Sequence, residues 1–131
     1  MAATNDIRRR ERSGDRYGYP VLAGVIIYGG SAMGITAALA AVPAGHVNAV
    51  ALIGIAEERI DNSAGATGDQ LANAKKGIFD IALAGATAAN IGDPVYASAD
   101  DTFTLDDVAG ANLQIGTLHA IDADGVWLKT L

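Results

Sequence analysis

The chain has 131 residues, of which 50% are hydrophobic and 18% charged, and it contains no cysteine. That length suits a single domain and argues against a two-domain enzyme with a cleft between its halves. Without cysteine there is no disulfide framework, no thiolate metal site and no cysteine nucleophile. The formal charge of −6 is unevenly spread. Residues 1–16 hold five arginines (Arg8, Arg9, Arg10, Arg12, Arg16) against three acids, a net of +2, while residues 17–131 hold four bases against twelve acids, a net of −8. An acidic body argues against nucleic-acid binding by the fold itself, because phosphate contacts need a basic face. The division reads as a basic N-terminal arm, residues 1–16, on a single acidic domain, residues 17–131.

The kinds of apolar residue matter more than their fraction. Alanine supplies about a fifth of the chain, there are 16 glycines, and aromatics are only 5%. Small side chains bury little area each, at about 25 cal/mol per Å². The expected core is thin, and such a domain gains stability by burying more surface in an oligomer.

In chain order, no formal charge occurs from Val21 to Ala56, after an arginine-rich stretch. By hydropathy alone Val21 to Val42 would pass for a single membrane span. The detail points elsewhere: Val25-Ile26-Ile27-Tyr28 is β-branched and aromatic, and Gly29-Gly30-Ser31 and Pro43-Ala44-Gly45 break the run. The expected elements are a strand over Val21–Tyr28, then a strand or an alanine-rich helical run over Ala32–Leu39. A central, fully buried strand follows over Val47–Ala56, closed by Glu57-Glu58-Arg59. A polar, glycine-rich loop starts at Asn62 and is taken to fill residues 61–74. Phe79, Ile81 and Leu83 alternate as one buried face of a strand. Thr87 to Gly92 reads as one helical turn with Thr87 as N-cap and Gly92 closing it. Two hairpins complete the chain, Pro94–Ser98 with Thr102–Leu105, and Ile115–Ile121 with Val126–Leu131. The second turns on Asp122-Ala123-Asp124-Gly125, where glycine supplies a positive φ. About seven short strands make an all-β, mainly antiparallel fold, a small barrel or sandwich with long loops.

The search for chemistry finds no catalytic, cofactor or metal set. Gly29 and Gly34 have the spacing that opens a phosphate loop, but Ile35-Thr36 follows where a lysine is needed. Asp100-Asp101 and Asp106-Asp107 suit turns better than acid/base pairs, since adjacent strand residues point to opposite faces. Asp122-x-Asp124-Gly125 begins like a calcium loop but lacks the closing glutamate. His46 and His119 are far apart, and Ser63 and Ser98 have no base arranged by motif. Trp127, the single tryptophan, reads as an anchor of the core or of a subunit interface.

Several segments in order carry a resemblance: IAEERIDNSAGATGD from Ile55 to Asp69, then KKGIFDIAL, IGDPVYASADDTFTL and the terminal IDADGVWLKTL, with GVIIYGGSAMG and AVPAG before them. Over roughly residues 17–131 the chain resembles the cement, or head-decoration, proteins of phages and prophages. Members of that family sometimes carry a recombinase label, which the missing phosphate-binding lysine and the short chain exclude here. The resemblance implies a virion structural protein and not an enzyme. It would be a homotrimer on the outer surface of an icosahedral head, partnered by the major capsid protein and tying capsomers together. The arginines of the arm, Arg8, Arg9, Arg10, Arg12 and Arg16, are then the expected capsid contacts. Two other classes remain open at this stage: a small β-module binding a ligand or a host surface, which would need an exposed aromatic cluster, and a single-span membrane protein.

Overall fold

A computed structural model of the chain describes residues 2, 4–6, 10 and 14–131. Among these the only helical element is a 3-10 turn, Ala88–Asn90, and the rest of the regular structure is strand. The strands are β1 (Arg16–Pro20), β2 (Ile26–Ile27), β3 (Ala32–Thr36), β4 (Ala41–Pro43), β5 (Ala49–Ala56), β6 (Ile60–Asp61), β7 (Leu71–Lys75), β8 (Ile78–Ile81), β9 (Pro94–Ala99), β10 (Thr102–Thr104), β11 (Leu113–Asp122) and β12 (Gly125–Thr130). They form two five-stranded antiparallel sheets, ordered β1-β7-β5-β3-β4 and β10-β9-β11-β12-β8, and a two-stranded ribbon, β2-β6. Neither large sheet closes on itself. Of the two expected architectures, the sandwich is the one present.

Alternation along the first sheet explains the layering. Ala32 packs into one core and its neighbour Met33 into another, because successive strand residues face opposite sides. The first core lies between the two large sheets, where Ala32, Leu52 and Ile55 meet Val95, Ala97, Ile115, Leu118 and Leu128. The second covers the other face of the first sheet, where Met33, Val42, Ala56, Ala72 and Ala74 pack with Val21, Val25 and Ile27. The sequence VNAVALIGIA looks apolar on both faces for a specific reason. In the β3–β5 pairing Met33 faces Gly54 and Gly34 faces Leu52, so β5 carries a bulge at Ile53. The bulge puts Leu52 and Ile55 on the same face although they are three residues apart. Gly54 takes φ +139 there, and a Cβ on it would sit 2.7 Å from the Lys75 carbonyl oxygen.

Several expectations need correction. The strand expected over Val21–Tyr28 is reduced to Ile26–Ile27, since a turn at residues 23–24 breaks it and Val21 makes only an isolated bridge to Ala41. The strand expected over Val47–Ala56 is central in its sheet but not fully buried: it starts at Ala49, Val47 is 90% exposed and Val50 56%. The loop expected to reach residue 74 ends earlier, at β7. Strands β1 and β4 were not anticipated. Both are sheet edges and both contain proline, which a central strand does not tolerate.

The second half agrees more closely. Phe79 and Ile81 are half-buried against the first core and Leu83 is buried in it. Thr87 precedes the 3-10 turn, and the Asn90 side-chain oxygen accepts its backbone N–H at 2.9 Å. Both hairpins form, with Asp122 opposite Gly125 across a turn at Ala123-Asp124. Gly125 has φ +144, one position after the turn.

Candidate functional site

The most distinctive segment of the sequence, Asp61 to Asp69, is a clasp. Asn62 is 2% exposed, and its amide nitrogen donates to the carbonyls of Val21 (3.1 Å), Leu22 (3.2 Å) and Ala66 (3.0 Å). Around it the Asp69 carboxylate accepts the Ala66 N–H, the Thr67 hydroxyl accepts the Ala23 N–H, and Gly68 N–H bonds the Val21 carbonyl. The loop therefore fastens residues 21–25, which have little strand pairing of their own, to the edge of the second core. The Ser63 hydroxyl and N–H both donate to Asp61, and these bonds hold that carboxyl below its usual pKa. Ser63 is committed to this local bond.

The paired aspartates occupy turns. Asp100 and Asp101 form the tip of the β9–β10 hairpin, and the Asp100 carbonyl accepts the Ala32 N–H at 2.8 Å, tying the tip to the first sheet. The Asp106 carboxylate accepts the Val108 N–H, and the Asp107 carbonyl accepts from Gly110 and Asn112. Asp122 Oδ1 accepts the backbone N–H of Asp124 and Gly125 and, at 3.1 Å, the Trp127 indole N–H. The indole bond is the largest influence holding the Asp122 carboxyl below its ordinary value, with the Asp124 N–H next. Trp127 is half-buried. Val126 and Leu128 on either side of it pack on the first core, which places the indole on the outer face of the second sheet. His119 is exposed on β11, and His46 Nδ1 accepts the Asn48 N–H. Among the described residues no three His, Asp or Glu side chains gather as a metal set.

Of the arm arginines, Arg8, Arg9 and Arg12 lie outside the described residues. Arg10 is exposed. Arg16 opens β1, and its Nε is 2.7 Å from Glu57 Oε1. Glu57 in turn belongs to a feature that no sequence reading anticipated. A groove of about 500 Å³ opens between the two large sheets, floored by Gly30, Ile55 and Ala56. Phe79, Asp80 and Ile81 of β8, Asp101 and Phe103 of the β9–β10 hairpin, and Glu57 and Lys75 also line it; Asp80, between the inward Phe79 and Ile81 and opposite Trp127, turns its side chain to the outer face of the second sheet. Its residues come from four separated stretches of chain, so no local signal could mark it.

A second surface is apolar. Leu39 (60% exposed) sits in the β3–β4 turn, and Val47 and Val50 flank the start of β5. Thr36 pairs with Ala49, which brings all three to the same end of the first sheet. Among the described residues no helix is long and apolar enough to cross a membrane.

No curated protein and no solved structure matches the chain. A family model for phage cement proteins matches residues 27–128, from β2 to the middle of β12 and including the clasp, both hairpins and the groove. On that match the chain belongs to the phage cement protein family, and its role is that of a structural component of the phage capsid.

Proposed function

We propose that the chain is a decoration protein that binds the outer surface of an icosahedral phage head as a trimer, near three-fold or quasi-three-fold positions, and stabilises the contacts between capsomers. The family match over residues 27–128 carries this reading. The physics of the fold supports it. A cement stabilises a shell by binding the assembled form and not the free capsomers, so mass action favours assembly. That task needs a rigid body with surfaces to bury, and the sandwich offers two: the apolar end at Leu39, Val47 and Val50, and the groove between the sheets. Three linked subunits strengthen each weak contact, because after the first contact the others form at high effective concentration. Arg8, Arg9, Arg10 and Arg12 remain candidates for contact with acidic groups on the shell, while Arg16 already pairs with Glu57.

The test is direct. Purified protein is mixed with heads that lack their own cement, and the heads are recovered by sedimentation and imaged. Added density at three-fold positions, saturating at a fixed ratio to capsid protein, supports the proposal. Heads that sediment without the protein at any concentration overturn it.

A further inference from the structure

Leu39, Val47 and Val50 gather at one end of the first sheet, all exposed, and two of them stand at backbone irregularities. Leu39 takes φ +66 in the β3–β4 turn, a left-handed conformation that a bulky residue rarely adopts. The turn closes without its side chain: Leu39 N–H donates to the Thr36 carbonyl, Thr36 N–H to the Ala40 carbonyl, and Ala40 N–H to the Thr36 hydroxyl. Val50 is the extra residue of a second bulge in β5, since Ile35 pairs with Ala51 and Thr36 with Ala49. A bulge re-aims the side chain it carries. Val47, just before β5, is 90% exposed, and Ala37 and Ala38 beside Leu39 are exposed as well. Glycine or asparagine would suit the backbone at residue 39 better than leucine does. The chain thus holds apolar groups in water, at a backbone cost, where they add little burial to its own fold.

We infer that copies of the chain meet at this end, with Leu39, Val47 and Val50 packed around the three-fold axis of the trimer. Two considerations choose a second copy as the occupant. The first is charge. No residue from Val21 to Ala56 is formally charged, whereas residues 17–131 together carry −8. Acidic bodies repel one another, and the repulsion is least where they approach through a face built from the uncharged stretch. The second is apolar character. Interfaces between partners that also exist apart are about as apolar as ordinary surface, while those between copies of one chain are more so. A contact made only with a finished shell would leave this patch in water until then, where it is a liability. A contact between copies covers it once the chain has folded. Around a three-fold axis the patch meets the same residues of both neighbours, so no second, complementary surface is needed. Three such side chains fall short of the ~800 Å² per partner buried in a stable interface, so they are its apolar centre within a more polar rim. The inference rests on the trimer of the proposed function and deepens it: of the two surfaces offered for burial, it assigns the apolar end to self-association.

Two full-length variants test it. Leu39→Asn keeps a residue that accepts a positive φ and removes the apolar side chain. Val47→Lys puts a charge at the most exposed of the three positions. Circular dichroism checks that each retains the fold, and sedimentation velocity over a concentration series reads association. The unmodified chain is expected to form trimers, and each variant to associate about tenfold more weakly or worse. Added salt screens the acidic bodies from one another, so it should strengthen association of the unmodified chain, whereas it weakens a contact held by opposite charges. Association that falls as salt rises overturns the inference. Folded variants that associate as tightly as the unmodified chain also overturn it, and leave the trimer standing on another surface. Variants that still form trimers but no longer bind heads lacking their own cement place the patch against the shell, which overturns the inference and spares the cement reading. A full-length chain that stays monomeric at all concentrations overturns both the inference and the trimer.

Discussion

Replacing Asn62 tests whether the clasp is a structural element of the fold. The side-chain amide has two hydrogens and spreads them over three carbonyls, those of Val21, Leu22 and Ala66. In Asn62→Ala the Val21 carbonyl keeps the Gly68 N–H and the Ala66 carbonyl keeps the Asp69 N–H, both at 3.1 Å. Only the half-buried Leu22 carbonyl loses its donor. The loss is then two hydrogens' worth of bonding at ~0.5–1.5 kcal/mol each, or about 2 kcal/mol in all. Asn62→Asp keeps the shape but aims a carboxylate at the same three carbonyls in a buried site, and should cost more, about 3 kcal/mol or above at neutral pH. Burial and the facing carbonyls raise the pKa of that introduced carboxyl in the folded state. Its penalty is therefore fully present above the folded pKa and relieved as the pH falls below it, where the protonated group can donate. Urea unfolding followed by circular dichroism, at neutral and mildly acidic pH, measures all three chains. Asn62→Asp as stable as the unmodified chain at neutral pH, or equally destabilised at both pH values, would refute the reasoning.

Other expectations concern the bulge, the last hairpin and the arm's anchor. Gly54→Ala brings a Cβ to 2.7 Å from the Lys75 carbonyl oxygen at φ +139, and should destabilise by about 2 kcal/mol or more in the same urea assay. The Asp122 carboxyl, with its pKa lowered by the Trp127 indole and turn N–H groups, contributes stability that is present above its unfolded value of 3.8 and lost as the pH falls through its lower folded value. Trp127 fluorescence, which no other tryptophan obscures, should change in that acid range and lose the response in Asp122→Asn. Arg16→Ala removes an ion pair whose arginine is well exposed, so urea unfolding should show a cost of only about 0–1 kcal/mol.

The parts of the fold legible in the sequence were those with local signals. Alternating large side chains mark β8, and the Ala99-Asp100-Asp101 and Asp122-to-Gly125 turns fix both hairpins. Strand β7 was hidden because its buried face is Ala72 and Ala74, small residues of low strand preference placed between Leu71, Asn73 and Lys75. The edge strands β1 and β4 were masked by proline, and β5 looked buried on both faces because a bulge, invisible in the sequence, changes its facing midway. The acidic turns could be read directly. The groove could not, since β5, β7, β8 and β10 meet there only through the stacking of two sheets. The run around Asn62 carried a family resemblance, and its physical content, a buried amide fastening a weakly paired segment, emerges only from the packing.

The central claim is that this protein strengthens a capsid. The measurement that bears on it most directly is the temperature at which heads release their DNA, recorded for heads lacking cement, with and without saturating purified protein. The account predicts a higher release temperature that rises with added protein and levels off once the three-fold positions are filled. Heads that bind the protein yet open at an unchanged temperature would contradict it.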